Sequence, residues 1–148
     1  MAEGEQMLAY CGLYCGECVM YQGEIADMAR DLRKKLREAK FDRVAAGIAQ
    51  VAPFFKEFNN YPVCYEVLGA MVKLRCRHSC KQGGGNPSCK VRLCCTKKKV
   101  AGCWECADFE SCSKLDFLTP IHGDAVYKNM RKIKKSGMEA FLAGEKYW

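Results

Sequence analysis

A mainly α-helical chain interrupted by an irregular cysteine-rich module is the fold the sequence predicts. Three observations carry this. Apolar residues recur at three- and four-residue steps over residues 21–75, the periodicity stops at Cys76, and it returns after Cys112. A chain of 148 residues fits a single domain and can bury a core without staples. Four parts are expected: an N-terminal cysteine triplet at 1–20, a helical body at 21–75, a loop-dominated cysteine-rich segment at 76–118, and C-terminal helices at 119–148. The class is small α or α+β.

The helical body begins with an amphipathic helix at 21–40. Ile25, Met28, Leu32, Leu36 and Ala39 form its apolar stripe, with Arg30, Arg33, Lys34 and Arg37 between them. Asp42 is placed to cap a second helix with the apolar face Val44, Ile48, Val51 and Phe55, and Pro53 bends or ends it. Asn59-Asn60-Tyr61-Pro62 is a break. A third helix at 63–75 carries Val67, Leu68, Met71, Val72 and Leu74. Together these segments predict a body with its own core, to which Phe54, Phe55 and Phe58 and the thiol of Cys64 are assigned. From Cys76 to Cys112, cysteines, glycines and basic residues replace the apolar pattern, and Gly83-Gly84-Gly85-Asn86-Pro87 is turn chemistry. Beyond it, Val126, Met130 and Ile133 form one stripe. Ser136-Gly137 is a break, and Met138, Phe141 and Leu142 make a last amphipathic turn.

What holds so irregular a segment is the central question, and the cysteines answer it. All but Cys64 fall in two clusters, and ten are candidate ligands: Cys11, Cys15 and Cys18, then Cys76, Cys80, Cys89, Cys94, Cys103, Cys106 and Cys112. Thiols this dense are metal ligands or disulfides. MAEGEQMLAY has neither the basic start nor the apolar run of a secretory leader, and no stretch approaches the ~18 apolar residues of a membrane span. The expected setting is therefore the reducing cytoplasm, without a membrane partner, where such clusters bind metal. Cys15-Gly16-Glu17-Cys18 and Cys103-Trp104-Glu105-Cys106 have the Cys-x2-Cys spacing that lets two sulfurs reach one ion, with turn amides aimed at them. Gly16 suits that tight turn. Of the vicinal pair Cys94-Cys95, Cys94 is the expected ligand, because adjacent residues seldom both reach one ion. Cys11, Cys15 and Cys18 supply three sulfurs where tetrahedral zinc takes four, so the missing ligand must come from the second cluster. The metal would then pin the N-terminus to residues 76–112.

Zinc is the expected ion, in closed four-cysteine sites that are structural rather than catalytic; an iron–sulfur cluster in a redox or accessory protein is the alternative, since thiolates suit both. Cys11-x3-Cys15-x2-Cys18 also has the spacing of the radical S-adenosylmethionine cluster motif. Glu17, however, stands where those enzymes usually carry an aromatic residue, and nothing here alternates strand and helix as a barrel of about 200 residues requires.

The strings CGLYCGEC, GGGNPSCKVRLC and GCWECADFESC, in that order, resemble the family called domain of unknown function 3795, small cysteine-rich proteins of bacteria and archaea. HGDAVYKNMRKIKKSG resembles the C-terminal helix of its longer members. The resemblance implies that the ten candidate cysteines occupy the family's cysteine positions. Val19 stands where the family often has proline. No activity comes with the resemblance.

Other side chains have plainer readings. His78 is a solvated loop residue or a ligand, and His122 a polar lead-in to a helix capped by Asp124. The glycine run lacks the Lys-Ser/Thr of a phosphate-binding loop. Trp104 is suited to pack over a metal and keep water from its sulfurs. The formal charge of +7 and the runs Lys97–Lys99 and Arg131–Lys135 invite nucleic acid. Yet two ions with four thiolates each would subtract four and leave only about +3, and no stacking aromatics are interleaved among the lysines. A protein partner is expected instead, in protein contacts or metal handling, with a basic nucleic-acid adaptor as the weaker alternative. No nucleophile–base pair or paired carboxylates argue for an enzyme.

Overall fold

The computed structural model describes residues 3–148. These are 72% helical and hold no strand, apart from one antiparallel bridge between Leu8 and Tyr14, so the mainly α class is observed. Among the described residues the helices are α1 (Glu3–Gln6), α2 (Val19–Gln22), α3 (Glu24–Glu38), α4 (Phe41–Val51), α5 (Tyr61–Lys73), α6 (Lys90–Lys98), α7 (Thr119–His122) and α8 (Ala125–Ala143). Short 3-10 segments join them. The chain divides into two compact units. One is Gln22–Arg75; the other unites the residues up to Tyr21 with Cys76–Trp148.

In the unit Gln22–Arg75, Gly23 adopts a left-handed φ of 77° that separates α2 from α3. A Cβ there would collide with the Arg75 guanidinium, which donates to the Gly23 carbonyl at 3.1 Å and to the Asp27 carboxylate. α3 packs on α5, and Arg33 lies 4.4 Å over the Tyr65 ring, against the bare backbone of Gly69.

This unit corrects the expected core. Its buried residues are small: Ala26, Ala29 and Ala45, with Gly23 and Gly69. The predicted stripe is turned by about one residue, or 100° of helix, so that Ile25, Met28 (72% exposed) and Leu32 face solvent. Alanine and glycine let α3 and α5 approach, which periodicity of large residues does not reveal. Phe54 and Phe55 are exposed as well, their rings 4.6 Å apart, and the 3-10 segment Pro53–Asn60 is kinked at Phe55. Cys64 is exposed rather than core. α4 stops before Pro53 as expected. Its cap position is Lys40, left-handed at φ 50°, and Asp42 lies in the first turn, where its charge favours the helix dipole.

The hydrogen bond from Arg75 holds the Asp27 carboxyl below its usual range. A depressed carboxylate pKa stabilises the fold above the unfolded value of about 3.9 and ceases to do so as pH falls toward the folded one. Asp27→Asn should therefore cost stability at pH 7, and the gap to the parent should close as pH falls through the depressed folded value, in denaturant titrations followed by circular dichroism. Both partners are over a third exposed, so the gap is modest.

The other unit holds the large apolar side chains. Leu8, Val91, Trp104, Phe109, Leu115, Val126, Met130, Ile133 and Phe141 form its core. The stripe Val126, Met130 and Ile133 and the turn with Phe141 are buried as read from sequence. Gly137, at φ 82° and ψ 166°, kinks α8 at the expected break. Buried Asn129 exchanges two 2.8 Å hydrogen bonds with the backbone of Tyr147 and clamps the last residues. Asp124 occupies the cap position of α8 but pairs at 3.0 Å with Lys128 instead of capping with its side chain. His122 precedes α8 as expected of a lead-in, and it is buried. Its ring meets Trp148 edge-on at 4.8 Å, and burial holds its pKa below the usual value. The segment expected to be loops contains a helix, α6, whose inward residues are only Val91 and Cys95.

Candidate metal centre

The N-terminal thiols sit on a hydrogen-bonded scaffold. Ala9 N–H donates to Leu13 at 2.8 Å, and Gly12, left-handed at φ 87°, closes the turn between them. Cys11 lies in that turn, its sulfur accepting from the Leu13 amide while burial pushes its pKa up to about 12. Cys15 opens a 3-10 turn in which Cys18 N–H donates to the Cys15 carbonyl at 3.0 Å. Gly16 is needed there for space, since a Cβ would stand 2.5 Å from the Tyr14 ring.

Long-range amide bonds bring the second cluster to the first. Cys76 N–H donates to Met20 at 2.9 Å and Cys103 N–H to Tyr10 at 2.8 Å. The Cys80 amide donates to the sulfur of Cys15, and the Tyr10 amide to that of Cys80. Burial raises both thiols and these donors lower them. Amides aimed at sulfur are what a thiolate ligand requires. The loop after Cys76 is built with equal care. Ser79 and Gln82 form a reciprocal cap, Gly84 N–H donates to Ser79 at 2.8 Å, and Arg92 donates to the Cys80 carbonyl at 3.1 Å.

The thiols fall into two neighbourhoods. In the front one, Cys15 is within electrostatic reach of Cys18, Cys76 and Cys80, and Cys11 of Cys15, Cys80 and Cys89. In the back one, Cys94, Cys95, Cys103, Cys106 and Cys112 line a cavity of about 270 Å³. The Cys95 and Cys103 sulfurs are 3.6 Å apart and share a hydrogen bond that raises Cys103 and lowers Cys95. Cys103–Glu105 and Phe109–Ser111 are 3-10 turns that deliver Cys106 and Cys112. Lys98 Nζ stands 3.3 Å from the Cys106 sulfur. Trp104 is buried, and a Cβ on Gly102 would overlap its ring. An adjoining depression of about 620 Å³ shares Cys94, Lys98 and Lys114 with that cavity and is lined also by Leu93, Lys90 and Lys97.

All twelve cysteines are free thiols. Among the described residues, no group of three or more His, Cys, Asp or Glu side chains is already gathered around one ion. The fit to a metal is therefore one of donor set and backbone: soft sulfur ligands, turns that present them in pairs, and amides directed at them. Side-chain rotation must draw the sulfurs in. His78 is exposed, in keeping with a solvated loop residue. Cys95, which spacing left out of the expected ligands, is buried and lines the back cavity beside Cys94. The available signal was its i+4 step from Val91, which marks the inward face of α6.

A family model described as a protein of unknown function, DUF3795, matches residues 7–117. No curated protein and no solved structure matches the chain. No helix among the described residues is long and apolar enough to cross a membrane.

Proposed function

We propose that this chain, which belongs to the DUF3795 family, is a metal-binding protein whose two thiol neighbourhoods each hold zinc as a structural ion. The single observation that carries this is the gathering of thiols from separate turns: Cys94, Cys95, Cys103, Cys106 and Cys112 line one cavity, with the Cys95 and Cys103 sulfurs 3.6 Å apart. Cys15, Cys18, Cys76 and Cys80 supply a four-sulfur set in front, with Cys11 and Cys89 adjoining it. Bound zinc would offset half the charge of four thiolates and cross-link the turns. A closed site of this kind serves a scaffold that contacts another protein or handles metal.

The second reading, an iron–sulfur cluster, is favoured by one feature. The back cavity of about 270 Å³ among five cysteines has more room than a single ion fills. Metal analysis and an absorption spectrum of anaerobically purified protein separate the two. Colourless protein with about two zinc ions per chain is the expected result. A brown protein containing iron and acid-labile sulfide would replace zinc with the cluster. Protein that takes up neither metal would refute both.

A further inference from the structure

We propose that Cys95, and not its neighbour Cys94, ligates the metal of the back centre together with Cys103, Cys106 and Cys112, leaving Cys94 as a free thiol at the rim. The inference rests on the metal-binding reading above and assigns the ligands of one of its sites.

Consecutive residues of an α-helix diverge by 100° about the axis, so Cys94 and Cys95 meet the cavity from different sides. Cys95 shares the inward face of α6 with Val91 and is 2% exposed. Cys94 is only half-buried: it borders the same cavity but also lines the solvent-facing depression formed with Lys90, Leu93 and Lys97. Spacing then favours Cys95. With zinc–sulfur bonds of about 2.3 Å, the edge of a tetrahedron of four sulfurs is about 3.8 Å. The Cys95 and Cys103 sulfurs are 3.6 Å apart, already one such edge.

The chain is shaped to make that edge. α6 ends at Lys98, and Lys99 turns left-handed at φ 56°. Val100 N–H then donates to the Cys95 carbonyl at 3.1 Å, which folds the chain back so that Cys103 returns to Cys95 eight residues later. The turn Cys103–Glu105 adds Cys106 at the paired spacing, and Cys112 lines the same cavity. Lys98, at 3.3 Å from Cys106, supplies a cation beside a centre that four thiolates would make doubly negative.

The test uses the full chain loaded with zinc. Cys94→Ser should keep the parent's zinc content, whereas Cys95→Ser should lose about one ion per chain. Because Cys95 is buried and its variant may not fold, the parent protein is also alkylated with iodoacetamide and the labelled cysteines are mapped by mass. Cys94 should react in the zinc-loaded protein along with exposed Cys64. Cys95, Cys103, Cys106 and Cys112 should react only after a chelator removes the metal. Loss of about one zinc from Cys94→Ser, or protection of Cys94 by zinc, overturns the assignment while leaving metal binding intact. A parent protein that binds no zinc overturns both.

Discussion

Cys15→Ser is expected to lose about one metal ion per chain and to loosen residues 76–112 as much as its own turn. The sulfur of Cys15 accepts a hydrogen bond from the Cys80 amide and has Cys76 and Cys80 as thiol neighbours, all more than sixty residues away in sequence. Serine offers a hard, protonated oxygen that a soft metal site rejects. Structural zinc in small thiolate sites is worth roughly 10–16 kcal/mol in apparent binding energy, so losing part of that exceeds the stability of many domains. Metal content and hydrogen exchange measure the effect. Faster exchange should appear across residues 76–112, while α3 and α5 in the other unit serve as an internal reference. Unchanged exchange in 76–112 would mean that no ion joins the two segments.

Gly84→Ala should be nearly as damaging, though it removes no ligand. A Cβ at this position would stand 1.7 Å from the carbonyl oxygen of His78 and 3.0 Å from that of Ser79. Both are main-chain atoms, so no rotamer change relieves the clash. The loop that carries Cys80 toward Cys89 must open, and the 2.8 Å bond from Gly84 N–H to Ser79 goes with it. A loss of about 3 kcal/mol in denaturant unfolding is expected, at the upper end for overpacking, with weakened metal retention in front. Gly47→Ala is the matched control. Gly47 lies within α4 with open space around it, and alanine there should stabilise by up to about 1 kcal/mol.

The cysteine pattern made part of this legible in advance. Three sulfurs cannot close a tetrahedron, which pointed from Cys11, Cys15 and Cys18 toward the later cluster, and the structure sets Cys76, Cys80 and Cys89 beside them. The breaks at Pro53 and Gly137 were equally readable, because proline and a left-handed glycine act through local geometry alone. What failed depended on the size of the neighbours. The α3–α5 contact is made by Ala26, Ala29 and Gly69, and small residues are silent in a count of large apolar ones. α6 went unseen because its inward face is one valine and one cysteine, and a cysteine weighed as a ligand is not weighed as core. The need for glycine at Gly16 and Gly84 was hidden too, since it comes from a tyrosine ring and a carbonyl that only the folded chain brings near.

The discontinuous unit has a consequence for how the protein is made. Cys11, Cys15 and Cys18 leave the ribosome first, yet Cys76, Cys80 and Cys89 follow only after the whole segment Gln22–Arg75 has been synthesised. At about 5–20 residues per second that interval lasts several seconds. During it, Gln22–Arg75 can fold on short-range contacts, while the leading thiols wait without partners. A nascent chain in that state is the form most open to oxidation or to capture of the wrong metal, and the hazard passes only when the later cysteines arrive.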